Sequence, residues 1–107
     1  MTDITINEAG DYVLGPEALK IANEQAKLRG AVSSNKSLLT AAQSTLKMYE
    51  DALAADAARE TPVPGYADGA KANIAKTQAE IDQLQAQIDK DEATIADLQA
   101  QIDAMKP

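Results

Sequence analysis

The chain has 107 residues, no His, Cys, Phe or Trp, and a formal net charge of −7. It therefore lacks the commonest general base, a nucleophilic thiol and the usual zinc ligands. A negative charge also disfavours nucleic acid and anionic lipid, because both require a basic surface. We expect no enzyme activity, and no catalytic residue, cofactor, metal, small-molecule substrate, nucleic-acid partner or membrane contact.

The first 15 residues form a β-prone arm. Asp3-Ile4-Thr5-Ile6-Asn7 alternates polar and apolar side chains, and a second β-prone run follows a segment rich in turn formers. This pattern predicts a small hairpin or an extended arm, although a frayed tail is the alternative. Two strands alone are marginal in water, so we expect the arm to dock on something. The expected anchoring residues are Ile4, Ile6, Tyr12, Val13 and Leu14.

A long helix is predicted over residues 16–59. Pro16 suits the first helical position, and Glu17 suits the positive end of the helix dipole. Apolar residues then recur at spacings of four and three without losing phase across Gly30. The alternative is a break near 30–35, with a second helix capped by Ser33 or Ser34. The core residues expected from this helix are Leu28, Val32, Leu39, Leu46 and Leu53.

A linker over residues 60–67 ends this helix, because its two prolines and its glycine cannot continue it. Asp68 is a plausible N-cap for a second helix over residues 68–105. This second helix carries the clearest pattern in the chain: an isoleucine recurs at every seventh residue, and a further core position follows each one by three residues. The expected core residues are Ile74, Ile81, Leu84, Ile88, Ile95, Leu98 and Ile102. Such an a/d heptad repeat predicts a left-handed coiled coil.

The two predicted helices are joined by a short linker, which favours antiparallel packing. The sequence therefore predicts an all-α fold, a long antiparallel helical hairpin or coiled coil with a short β-prone N-terminal arm. Two registers keep the apolar seam together. One places Tyr49 level with Ile74 and Leu28 level with Ile95, and the other places Leu46 level with Leu84.

Polar residues interrupt the seam in both helices. Asn35 is an uncharged interruption in the first helix, and Asp91 is the one charge in the seam of the second. In either register they lie one core layer apart. They can form a polar core layer that fixes register or oligomer state. The alternative is that Asp91 reaches solvent.

Two helices alone leave much apolar surface uncovered, so we expect the chain to pair with itself as a homodimer or homotrimer. The rival architecture is an extended chain that pairs in parallel through its second helix. Alanines also fill every f position of that helix, either to let another helix approach or because alanine favours helix formation. These alanines are Ala72, Ala79, Ala86, Ala93 and Ala100.

Two function classes follow. In the first, the chain is a structural or assembly protein that self-associates and attaches through its arm to a larger protein assembly, such as a phage particle with head-fibre, neck or tail accessories. In the second, it is a helical-hairpin adaptor, chaperone or secreted module that holds a partner helix. The chain starts without the basic and apolar regions of a signal peptide. We expect a soluble protein that is cytoplasmic or part of a particle.

Overall fold

A computed structural model describes residues 3–107 of the chain. Two long helices pack against each other as a hairpin, and two short strands precede them, which confirms the predicted fold class. The elements are β1 (Ile4–Ile6), β2 (Tyr12–Leu14), α1 (Pro16–Ala57) and α2 (Tyr66–Ala104). The described residues fall into two compact units: a terminal unit (3–34 and 88–107) and a loop unit (35–87). Neither described helix is apolar enough over a sufficient length to cross a lipid bilayer.

Helix α1 runs without a break through Gly30 and the serines that follow it. Gly30 has open space around it and costs the helix only about 1 kcal/mol relative to alanine, which the packing of the seam offsets. The helix ends at Ala57, two residues before the expected end. Its last turn then tightens, because the Arg59 N–H donates to the Asp56 carbonyl at 3.1 Å.

Helix α2 begins at Tyr66 rather than at residue 68. Gly65 adopts a positive φ of 77°, and its carbonyl accepts the Gly69 N–H at 3.3 Å, so Gly65 occupies the N-cap position. Asp68 lies in the first turn and is not the cap, although its charge still suits this end of the helix dipole. The buried Asp56 holds the linker in place, because its carboxylate accepts a hydrogen bond from the Val63 N–H at 3.1 Å.

The seam between the helices follows the heptad pattern. Along both helices, positions spaced alternately by three and four residues are buried or half-buried, and most positions between them are exposed. Of the expected core residues, four are buried: Val32, Ile81, Ile88 and Ile102. The others are half-buried: Leu28, Leu39, Leu46, Leu53, Ile74, Leu84, Ile95 and Leu98. The isoleucine row therefore lies against α1, as a left-handed coiled coil requires.

The contacts of each unit match the first of the two predicted registers. In the terminal unit, the Gln25 side chain reaches the backbone carbonyl of Ile95 at 3.2 Å. In the loop unit, Tyr49 and Asn73 line one hollow. The second register would shift α2 by seven residues and would move both pairs apart by about 10 Å.

The arm forms an antiparallel hairpin in which Ile4 pairs with Leu14 and Ile6 pairs with Tyr12. The Asn7 side chain accepts the N–H groups of Ala9 and Asp11, each at 3.0 Å, which fixes the turn. The arm docks on the helices of its own terminal unit. Ile4 is 1% exposed and packs with Ala18 and Ile102, while Leu14, Ile21, Ala22 and Met105 surround this cluster.

The hairpin also caps α1. The Asp3 carboxylate accepts the Ala18 N–H at 2.6 Å, which is one of the donors that the first turn leaves unpaired. The Asp3 carbonyl accepts the Gly15 N–H at 2.8 Å. A Cβ at Gly15 would fall 2.6 Å from that carbonyl oxygen, so no larger residue fits there without moving the strand. Asp3 and Gly15 therefore join the arm to the start of α1.

We predict that Asp3→Ala lowers the free energy of unfolding by about 1 kcal/mol, because an N-terminal donor of α1 loses its acceptor. Urea unfolding followed by circular dichroism measures the change. Glu8→Ala is the matched control, since it removes an exposed carboxylate from the turn of the same hairpin. Equal stability of the Asp3→Ala variant and the native chain would show that the cap contributes nothing.

Candidate interaction surfaces

The two residues of the predicted polar core layer lie in different units. Asn35 is half-buried in the loop unit, and Asp91 belongs to the terminal unit, where it is 8% exposed. Asp91 therefore does not extend into solvent, and it interacts with another group, as a buried carboxylate must. Within residues 3–107, no fully buried side-chain nitrogen or oxygen lacks a hydrogen-bond partner. The role of the two residues in fixing register stays a prediction.

A polar contact across the helices centres on Gln25, which is only 4% exposed. Its amide nitrogen donates to the Ile95 carbonyl and, at 3.0 Å, to the side-chain oxygen of Gln99. Gln99 in turn donates to Asp103 at 3.0 Å, and Lys106 binds the same Asp103 oxygen at 2.9 Å. This chain of contacts links α1 to the carboxyl end of α2. The sequence showed Gln25 only as a polar residue at a seam position, and its partner is 74 residues away.

The end of this network meets the hairpin. The Lys106 ammonium group lies 5.0 Å from the centre of the Tyr12 ring, within the range of a cation–π contact. The hydrogen bond from Lys106 lowers the pKa of the Asp103 carboxyl, and the same bond raises the pKa of Lys106. The Lys106 side chain is 34% exposed and the Asp103 side chain is 54% exposed, so water screens the pair and its contribution to stability is small.

The hairpin leaves part of its apolar surface uncovered. Ile6, Tyr12 and Val13 are about half exposed, whereas Ile4 and Leu14 face the helices. The Asn7 N–H bonds to the Asp11 carbonyl at one end of the ladder, as the Gly15 N–H does to Asp3 at the other. The alternation of an antiparallel ladder then directs the backbone N–H and C=O groups of Ile6 and Tyr12 outward. The hairpin thus presents apolar side chains together with strand edges that can pair with another strand.

An open groove lies between α1 and α2 in the loop unit, with a volume of about 500 Å³. Its lining combines small and apolar residues of α1 with mostly polar residues of α2. The lining residues are Asn35, Leu38, Ala41, Ala42, Thr45, Glu80, Gln83, Leu84 and Gln87. A second hollow of about 290 Å³ lies nearer the linker, where Ala52, Ala55, Val63 and Tyr66 form most of its wall.

Both hollows border one line of α1 residues, which we call the α1 side stripe. Its members are spaced alternately by three and four residues, as the seam residues are, and none is charged. They are Leu38, Ala41, Thr45, Met48, Ala52 and Ala55. The sequence analysis missed this stripe because it followed only the stronger seam beside it. A search for a second heptad pattern made up of uncharged residues would have found this stripe.

The f-position alanines of α2 are all exposed, and no element within residues 3–107 covers them. No group of three or more acidic residues within residues 3–107 is arranged to hold a metal ion. The described residues present three exposed surfaces: the apolar side chains and strand edges of the β-hairpin, the groove, and the α1 side stripe. No known protein family matches the chain, and no curated protein or solved structure is significantly similar to it.

We predict that Gln25→Ala destabilises the chain by about 1–3 kcal/mol, because truncation removes two hydrogen bonds and leaves a cavity in the seam. The free energy of unfolding in urea is the measurement. Gln43→Ala, an exposed glutamine on the same helix, is the control and should change stability by less than about 0.5 kcal/mol. Similar losses in the two variants would contradict the role assigned to Gln25.

We also predict that Asp91→Leu raises the melting temperature, because leucine fills the seam position without the cost of burying a carboxylate. The oligomer number can change at the same time, since a core polar residue can set it. Thermal unfolding and light scattering measure the two effects. Asp97→Leu, at an exposed position of the same helix, should give no increase. A lower melting temperature for Asp91→Leu would refute the claim that burial of this carboxylate costs stability.

Proposed function

We propose that this chain is a non-enzymatic structural or assembly protein. It self-associates through its coiled-coil helices and attaches to a larger protein assembly through its N-terminal hairpin. The observation that carries the proposal is apolar surface left uncovered in both units. The exposed large apolar side chains are Ile6, Tyr12, Val13 and Leu19 in the terminal unit, and Leu38, Met48, Val63 and Tyr66 in the loop unit.

The thin core supports self-association. Among residues 3–107, Ile4 is the one large side chain that is fully buried, and most seam residues are only half-buried. The chain has no Cys that could supply a disulfide. Small proteins with such a limited core commonly gain stability by oligomerisation. A second copy of the chain would cover apolar surface that the helical hairpin leaves exposed to water.

The hairpin supports attachment. Ile4 and the Asp3 cap hold it firmly against the helices, so the exposed Ile6, Tyr12 and Val13 are presented on an ordered base. Preorganised surfaces bind with a smaller entropic cost than frayed tails. An anchoring hairpin followed by a coiled coil suits an accessory component of a virion or another large particle, of the head-fibre, neck or tail type.

The groove of the loop unit favours a second candidate function. A helical-hairpin adaptor or chaperone would hold a partner helix in such a groove, whose lining is mostly apolar along α1 and mostly polar along α2. This function requires a chain that stays monomeric until its partner binds.

Sedimentation equilibrium and circular dichroism separate the two functions. We expect a dimer or trimer whose high helicity persists throughout the micromolar range, because self-association covers the exposed apolar surface. A monomer whose helicity increases only when a partner protein is added would contradict the structural proposal and support the adaptor.

Attachment is tested on the native assembly. We expect the double variant Ile6→Lys/Val13→Lys to dissociate from a particle that the native chain joins, because the lysines would place charge on the uncovered side chains of both faces of the β-hairpin. Co-sedimentation of the chain with large particles from the producing cells is the readout. Glu8→Lys is the control, since it also shifts the net charge by two units but lies in the hairpin turn. Unchanged attachment of the double variant would refute the anchoring role.

A further inference from the structure

The α1 side stripe has the composition of a helix interface. Over residues 38–55 the charged residues of α1 are Lys47, Glu50 and Asp51, and none of them belongs to the stripe. Leu38 is 57% exposed and Met48 is 70% exposed, although both are large and apolar. The remaining members are three alanines and one threonine, which allow a second helix to approach closely.

The order of large and small residues along the stripe is self-complementary. An antiparallel copy of α1, related by a twofold axis between residues 46 and 47, places Leu38 opposite Ala55 of the second copy. The same axis places Met48 opposite Thr45 and Ala41 opposite Ala52. Each large side chain therefore meets a small one, which is the condition for close packing in an isologous interface.

The second hollow gives this arrangement a specific contact. Leu38 of one copy would enter the hollow of the other, which Ala52, Ala55, Val63 and Tyr66 line together with Asp56 and Arg59. The volume of about 290 Å³ is enough for a leucine side chain. One end of the stripe thus carries a large apolar side chain, and the other end carries a mostly apolar hollow that can receive it.

We propose that a second copy of this chain packs on the α1 side stripe, with the two α1 helices antiparallel about a twofold axis. The proposal rests on the self-association in the proposed function and names the surface that performs it. It also explains why the stripe lacks charge in a chain whose net charge is −7, since each copy would bury this surface against an equally acidic partner.

An interface of standard size buries roughly 800 Å² on each partner, which is about a ninth of the 7414 Å² that the chain exposes. Charges along the stripe do not oppose the pairing. Asp51 pairs with Lys47 of its own helix at 3.3 Å and lies level with the uncharged Ala42 of the second copy.

Disulfide cross-linking tests the geometry directly, because the native chain contains no Cys. We expect a mixture of the Ala41→Cys and Ala52→Cys variants, one of them lengthened by a tag, to give the mixed dimer under mild oxidation. Each variant alone should give little dimer. The two copies of position 41 would lie about 16 Å apart along the helices, too far for a disulfide. Same-variant dimers without the mixed dimer would indicate parallel packing and would overturn the proposal.

A matched pair of lysine variants tests the surface. Ala41→Lys should weaken the dimer by about tenfold or more, since it places a charge in the interface. Ala54→Lys makes the same chemical change on an exposed part of α1 outside the stripe, and the dimer dissociation constant should stay as in the native chain. Sedimentation equilibrium measures both, and circular dichroism confirms that each variant is folded.

The outcomes separate this inference from the function on which it rests. A stable dimer or trimer that is insensitive to Ala41→Lys, and that yields no mixed disulfide, would overturn the stripe as the interface while self-association stands. A native chain that stays monomeric would overturn both and would leave the stripe to a helix of another protein.

Discussion

The structure depends on the burial of a row of isoleucines that recurs every seventh residue of α2. In water, a single helix with such a row would expose it, and full burial of one isoleucine side chain contributes roughly 1.5–3 kcal/mol. The Pro and Gly residues of the linker turn the chain back, so α1 supplies the covering surface. The helical hairpin and the extent of the seam follow from this one requirement.

A seam between two helices is narrow, and this narrowness governs what the rest of the surface can do. Two packed helices bury one stripe on each, so residues beside the stripe stay half in water. With no Phe or Trp to widen it, the core of the described residues extends beyond the seam at the terminal unit, where Ile4 covers Ala18 and Ile102. A chain built in this way has little interior in which to form a pocket, but much ordered surface for contacts with other chains. This balance favours an assembly role.

Polar contacts stabilise the ends of the helices more than the helix interiors. Asp3 pairs with the first turn of α1, Asp56 holds the linker, and the network from Gln25 reaches the carboxyl end of α2. Helix ends carry unpaired backbone groups, and water competes for exposed side-chain bonds. Side chains that burial or the β-hairpin already holds in place are therefore well suited to pair with the free backbone groups at the helix ends.

Local patterns in the sequence were sufficient to predict both helices, because heptad spacing and breaking residues act within a few turns of chain. They also predicted the β-prone arm and the antiparallel order of the helices. The start of α2 was predicted less well, since both Asp68 and Gly65 are acceptable caps and only the linker geometry selects Gly65. Of the candidate surfaces, the sequence analysis named the β-hairpin residues, whose anchoring role stays a prediction, whereas it missed the α1 side stripe beside a stronger pattern.

The amino-acid sequence by itself determined the elements, their amphipathic faces and the need of those faces for cover. Only the tertiary structure decided which of the two registers forms, that Asp3 caps α1, and that Gln25 meets Gln99. It also decided that Ile4 is covered while Ile6 is left in water. The physical reason is distance along the chain: periodicity reports the neighbours within a helix, whereas these contacts join residues 15 and 74 positions apart, which meet only after the chain has folded back.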